Sequence, residues 1–269
     1  MTAIAHFIAI VCYFGAAALA ATPFARPVGA PVRGVLALLS VGVATHAAAL
    51  LVFVSRTGEA PLAGIGPTLS STGFAIAAAL LVVEIAVNDV SLTVVMGPLA
   101  ATPTLFANLI GLAPSAERFG PDAGWVLAHA ASSVAGLALF ALAGAAGGLY
   151  LVELRVLQLP GDTVGKRFFP SLATLERVNH VAAIAGAVGL TLGVLLAVPY
   201  ALRTHELRMP KLVWATGAWL SISVIAVGRT WGRWPARRAA ICSSVSFAAV
   251  VVLYVALRIA EPNSGGRFL

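Results

Sequence analysis

Residues 125–158 read WVLAHAASSVAGLALFALAGAAGGLYLVELRVLQ, and this stretch decides the fold. It carries no acid, lysine or arginine before Glu153, while His129 stands near its head and Arg155 near its foot. About 25 apolar residues, at about 1.5 Å rise each, cross a hydrocarbon core of about 30 Å with some tilt. The stretch therefore reads as a transmembrane helix with one histidine inside the membrane. An ionisable group in that position is a functional candidate, with a simple interhelical hydrogen bond as the competing explanation.

The rest of the chain follows the same pattern. Across 269 residues, 60% are hydrophobic and 10% charged, against about a quarter charged in soluble domains. Mean hydropathy is +0.97. Apolar runs long enough to span recur at about 3–21, 35–54, 69–87, 90–112, 125–151, 180–199, 212–228 and 239–259. The expected fold is an all-α integral membrane protein, one polytopic domain of about eight transmembrane helices. Asn88-Asp89 separates the third and fourth runs as a tight hairpin turn. Seven spans result if Glu84 to Asp89 is not a turn at the membrane surface. Glu84 has no evident partner in the sequence and is placed at the interface. The first run resembles a signal peptide in its apolar stretch, but no Lys or Arg precedes it, so it reads as the first span.

The net charge of +7 would suggest a nucleic-acid partner in a soluble chain. Here the basic residues fall in short loops, which makes them orientation signals and excludes nucleic acid as the expected partner. With the N-terminus outside, the inner side holds Arg26, Arg33, Arg155, Lys166, Arg167, Arg177, Arg229, Arg233, Arg237 and Arg238, ten of the seventeen Lys and Arg. Both termini are then expected on the outer side of a bacterial inner membrane. The connection from Val152 to Asn179 carries Pro160-Gly161-Asp162 and then Phe168, Leu172 and Leu175 at helical spacing, a pattern that suggests a short helix on the inner face. Gly144 and Gly148 in GxxxG spacing, and Gly186, Gly189 and Gly193 along another run, suggest close packing of helix backbones.

Cys12 and Cys242 both lie in apolar runs, and no CxxC, CxxCH, Walker, HExxH or serine-triad pattern occurs. Chemistry is left to the five histidines. On the N-out topology His6, His46, His129 and His205 all lie toward the outer side, and His180 toward the inner. Neutral imidazoles on facing helices are common axial ligands of haem iron. The outer loop PYALRTHELRMPK, residues 199–211, adds Arg203, Arg208 and Lys211 for an anionic group, and Trp214 and Trp219 follow as aromatic faces. Interfacial anchoring accounts for these aromatics equally well.

The order of these features resembles the CcsA/HemX-like branch of the cytochrome c assembly proteins. The resemblance rests on Trp125 with His129, the YLVELRVL of 150–157, the PSLATLE of 170–176, the glycine-rich 186–193, and Pro210-Lys211 followed by Trp214 and Trp219-Leu220. The basic turn RTWGRWPARRAA at 229–240 is similar to the family's last inner loop. Arg208-Met209 stands where the family has Trp-Asp, and Val227 where a further histidine falls. The resemblance implies an eight-helix membrane component of cytochrome c maturation that binds or presents haem b at the outer face. His129, with His46, would be the iron ligand, and His205, Arg203, Arg208, Lys211, Trp214 and Trp219 would surround the porphyrin. Its implied partners are other cytochrome c assembly proteins, apocytochrome c indirectly, and the lipid bilayer. It would be at most a subunit of a haem lyase complex. Two other readings stay open: a non-catalytic HemX-like protein that regulates tetrapyrrole or haem metabolism through protein contacts, and a small-molecule transporter.

Overall fold

A computed structural model describes residues 2–25, 29–62, 64–113, 123–158, 170–204 and 209–260. Within them the chain is all-α. The helices are α1 (Thr2–Ala20), α2 (Thr22–Ala25), α3 (Val32–Thr57), α4 (Ile65–Val87), α5 (Thr93–Ile110), α6 (Ala123–Leu157), α7 (Leu172–Thr204), α8 (Met209–Thr230) and α9 (Ala236–Ala260). All but the one-turn α2 are long and apolar enough to cross a membrane, which makes eight spans and a multi-pass membrane protein.

The spans form two rings of four. In the first, α1 packs on α3 and α5, and α4 packs on the same two. In the second, α6 packs on α7 and α9, and α8 packs on the same two. The rings meet where α6 lies against α4 and α5. Consecutive spans in each ring are antiparallel neighbours, so the chain builds the same up-and-down bundle twice. The ends of the odd-numbered passes where Thr2 and Ala123 lie share one face of the molecule, called below the N-terminal face.

Side-chain burial follows membrane rules. Tyr13, Leu39, Leu80 and Met96 are fully buried in the first ring, and Phe140, Leu142, Leu175, Ile222 and Ile225 in the second. Phe7, Leu51, Val82, Leu109, Val181, Leu195 and Val252 are exposed around the outside, where lipid chains would meet them. Small residues let the inner contacts close, because lipid supplies little hydrophobic drive between helices. A Cβ on Gly189 would lie 3.0 Å from the Cα of Gly136, so α6 and α7 touch backbone to backbone. At Gly144 a Cβ would meet Phe247 at 2.8 Å, whereas at Gly148 the nearest atom is Ser244 Oγ at 3.7 Å. The tight approach toward α9 thus falls on Gly144 and its neighbour Gly147 more than on the Gly144/Gly148 pair.

Three sequence expectations change. Helix α6 has 35 residues and α7 has 33, so each outruns the bilayer core. Charge ends an apolar run without ending a helix, and Arg155, Glu176 and Arg177 sit on helical extensions. Leu172 and Leu175 belong to the first turn of α7 instead of a separate interfacial helix, and Leu175 is fully buried; Phe168 and Pro160-Gly161-Asp162 lie outside the described residues. Glu84, in the last turn of α4, is buried, 1% exposed, and has a partner after all. Its Oε1 accepts from the backbone N–H of Thr93 at 2.8 Å and from Thr93 Oγ1 at 2.9 Å. A carboxylate on α4 thereby caps α5, satisfying donors that every helix start leaves open. Asn88 makes this possible: it takes the left-handed conformation at φ 53°, which Asn tolerates, while Asp89 Oδ1 accepts from the N–H of Ser91 at 2.8 Å.

Candidate functional site

His129 lies two turns into α6 and is half-buried. Its Nδ1 lies 2.8 Å from the backbone oxygen of Gly193 on α7. A carbonyl only accepts, so Nδ1 carries the proton, and the neutral ring's free lone pair is on Nε2. No described residue bonds that nitrogen. One turn earlier, Trp125 Nε1 donates to the backbone oxygen of Leu196. These two side chains, four residues apart and on one helix face, fasten the head of α6 to the tail of α7.

The loop residues expected around His129 are only partly described. Arg203 lies in the last turn of α7 and Lys211 in the first turn of α8, both at the N-terminal face. Their side chains, together with His205 and Arg208, lie outside the described residues. The two tryptophans are turned inward. Trp214 Nε1 donates to Val250 O at 3.0 Å, with its ring 5.5 Å from that of Tyr254. Trp219 Nε1 donates to Thr191 Oγ1 at 2.9 Å. Their N–H groups tie α8 to α9 and α7, as buried indoles do.

His46 belongs to another site. It is fully buried on α3, which shares no substantial packing surface with α6, so His46 and His129 are not brought together. Tyr13 OH lies 3.1 Å from His46 Nδ1, and His46 Nε2 lies 2.9 Å from Ser70 Oγ. The same Ser70 Oγ lies 2.7 Å from Nε2 of His6, whose Nδ1 reaches Thr2 O at 2.9 Å. All four side chains are fully buried, and the two imidazole rings lie 5.0 Å apart. Gly42, one turn before His46, gives the Tyr13 ring its room: a Cβ there would lie 2.7 Å from Tyr13 Cε1. With both ring nitrogens engaged, His46 offers no lone pair to a metal without giving up a partner. Sequence reasoning set His6 aside, although His6 and Tyr13 stand seven residues apart and hence on one helix face.

The second ring has polar groups of a different kind, toward the opposite face. Asn179 Nδ2 donates to Ala143 O and to Ser243 Oγ, each at 2.7 Å, and Ser244 Oγ donates to Gly144 O at 2.9 Å. Beyond them Arg229 Nη2 meets Glu176 Oε1 at 2.6 Å, and Arg229 Nη1 donates to Trp234 O at 2.9 Å. Arg238 lies over the Trp234 ring, 4.1 Å from its centroid. These basic residues, read from sequence as orientation signals, also lock the α8–α9 turn. His180 lies on α7 at this end, with its Nδ1 buried and unpartnered.

A groove of 580 Å³ opens between α5, α6 and α9, lined by apolar and small residues such as Pro98, Leu99, Gly144 and Phe247. None of its lining residues is a histidine or carries charge. Among the described residues no three His, Cys, Asp or Glu side chains gather to hold a metal ion. No family model, no curated protein and no solved structure matches the chain.

Proposed function

We propose that this protein is a membrane component of cytochrome c maturation that holds haem b at its N-terminal face, with His129 Nε2 as the histidine ligand to iron. One observation carries the reading: the Nδ1 bond to Gly193 O fixes the ring and its tautomer, and no described residue bonds Nε2. Histidine ligands are commonly oriented by such a bond to a backbone carbonyl. The resemblance carried by Trp125, His129, Tyr150-Leu151 and Pro210-Lys211 supports it from the sequence side. Haem, when bound, supplies an iron whose axial position accepts imidazole nitrogen. The chain's own part is to orient: Gly193 O and Trp125 hold the head of α6, and the resemblance assigns Arg203, Arg208, Lys211 and His205 to the porphyrin's surroundings. On this reading the face is the outer side of a bacterial inner membrane, and the partners are other cytochrome c assembly proteins, with apocytochrome c reached through them.

The reading is tested by purifying the protein in detergent, supplementing with haem and recording the visible spectrum. A Soret band that disappears in His129→Ala, with helicity retained by circular dichroism, is expected. A wild-type protein that stays colourless after supplementation overturns it.

A second reading has one observation in its favour. Trp214 and Trp219 bond within the bundle, so neither indole N–H is left for a porphyrin platform. That arrangement suits a non-catalytic, HemX-like protein that acts on tetrapyrrole or haem metabolism through protein contacts. Co-purification of a haem-biosynthetic enzyme with a colourless protein would favour it.

A further inference from the structure

The groove where the two rings meet, between α5, α6 and α9, has a floor, a length and a mouth. Its floor is Ala141, Gly144 and Ala145 of α6, all buried, and its rim is Val95 and Thr102 of α5 with Val152 of α6, all exposed on the outside of the bundle. From Ala141 to Val152 it runs eleven residues along α6 toward the opposite face, about 16 Å, or about half of a hydrocarbon core of about 30 Å. A transmembrane helix needs the whole core, whereas the acyl chain of a lipid needs one leaflet. The volume of 580 Å³ falls within the range of about 300–1,000 Å³ that small ligands occupy. Its hydroxyls are already engaged: Thr102 Oγ1 donates to Pro98 O at 2.8 Å, and Ser244 Oγ lies 2.9 Å from both Gly144 O and Ala240 O. Hydrocarbon can fill such a space without stranding a polar group.

Positive charge stands at the mouth. Helices α6 and α9 are antiparallel and bring Gly144 against Phe247; the same pairing carried eleven residues on sets Arg155 level with Ala236, and hence beside Arg237. Arg155 follows Gly148 by seven residues and Arg237 precedes Ser244 by seven, so each arginine lies two turns beyond a groove residue on the same face of its helix. Both are exposed, and neither forms an ion pair with a described residue. The acids at this end are engaged or buried. Asp89 accepts from the Ser91 N–H, Glu176 pairs with Arg229, and Glu84 and Glu153 are buried.

We propose that this groove seats one acyl chain of an anionic phospholipid from the leaflet at the opposite face, with Arg155 and Arg237 on the headgroup. Each half of the site selects one half of the ligand. The groove excludes whatever is not hydrocarbon, and the guanidinium forks favour phosphate oxygens and net negative charge. Basic residues placed between transmembrane helices at the membrane surface recognise acidic headgroups by the same chemistry. A lipid seated there would cover the seam between the two rings.

Photo-crosslinking of the full chain in phosphatidylcholine vesicles tests the site. The probe is a trace of phosphatidylglycerol or of phosphatidylcholine with a diazirine in the acyl chain, and the labelled residues are mapped by mass spectrometry. Phosphatidylglycerol should label 95–102 and 141–152 more strongly than the outward-facing stretch 181–195 of α7, and more strongly than phosphatidylcholine does. Arg155→Gln and Arg237→Gln, both at exposed positions, should each cut that preference about fivefold. Gly148→Leu enters the groove where a Cβ finds its nearest atom 3.7 Å away, and should remove groove labelling by both probes while 181–195 stays labelled. Equal labelling of the groove by the two lipids, or a preference unchanged in the arginine variants, overturns the proposal. So does a groove that neither lipid labels above 181–195, as when another helix or a second copy of the chain covers it.

Discussion

The two four-helix rings share a connectivity and differ in what they bury. Both close with small residues, but the first also encloses imidazole, hydroxyl and phenol side chains that bond one another, whereas in the second the polar side chains between helices bond mainly to backbone carbonyls. Side-chain partners fix which helix faces converge; carbonyl partners are offered by every turn and fix only closeness. The histidines divide accordingly. His6 and His46 have both nitrogens engaged, while His129 is pinned by one carbonyl and its other nitrogen bonds no described residue.

If close backbone approach holds the second ring, filling it should do the most damage. Gly189→Leu should destabilise the folded protein by about 3 kcal/mol or prevent folding, whereas Gly217→Ala, with no atom within 4 Å of its Cβ, should be near neutral. Thermal unfolding in detergent compares the two. A smaller loss, about 2 kcal/mol, is expected for Glu84→Ala, which uncaps α5 and leaves the buried Thr93 N–H only its longer bond to Val90 O at 3.3 Å. Equal thermal stability of Glu84→Ala and wild type would mean that the cap contributes nothing. The smallest effect belongs to Trp219→Phe, about 0.6 kcal/mol for one interhelical hydrogen bond in a membrane bundle. A loss of several kcal/mol there would show that α7 and α8 depend on this single bond.

Much of the fold was legible in the sequence because the bilayer demands long apolar runs and tolerates little else. The runs at 35–54 and 69–87 fall inside α3 and α4, and Asn88-Asp89 marks a hairpin as read. Helix ends were less legible: the run 180–199 lies within a helix that begins at Leu172, since hydropathy registers where charge begins and not where backbone hydrogen bonding stops. Glu84 looked unpartnered because its partner is the backbone of Thr93, whose need for a cap exists only once the hairpin has formed. The histidine network was hidden for a related reason. Helical spacing places His6 and Tyr13 on one face, but it takes the ring closure of α1, α3 and α4 to bring Ser70 between His6 and His46.

The central claim is that only the second ring presents an open histidine, and haem titration of two variants side by side tests it most directly. His129→Ala should lose the Soret band of the wild type while His46→Ala retains it; a band that survives in His129→Ala and disappears in His46→Ala would contradict the account.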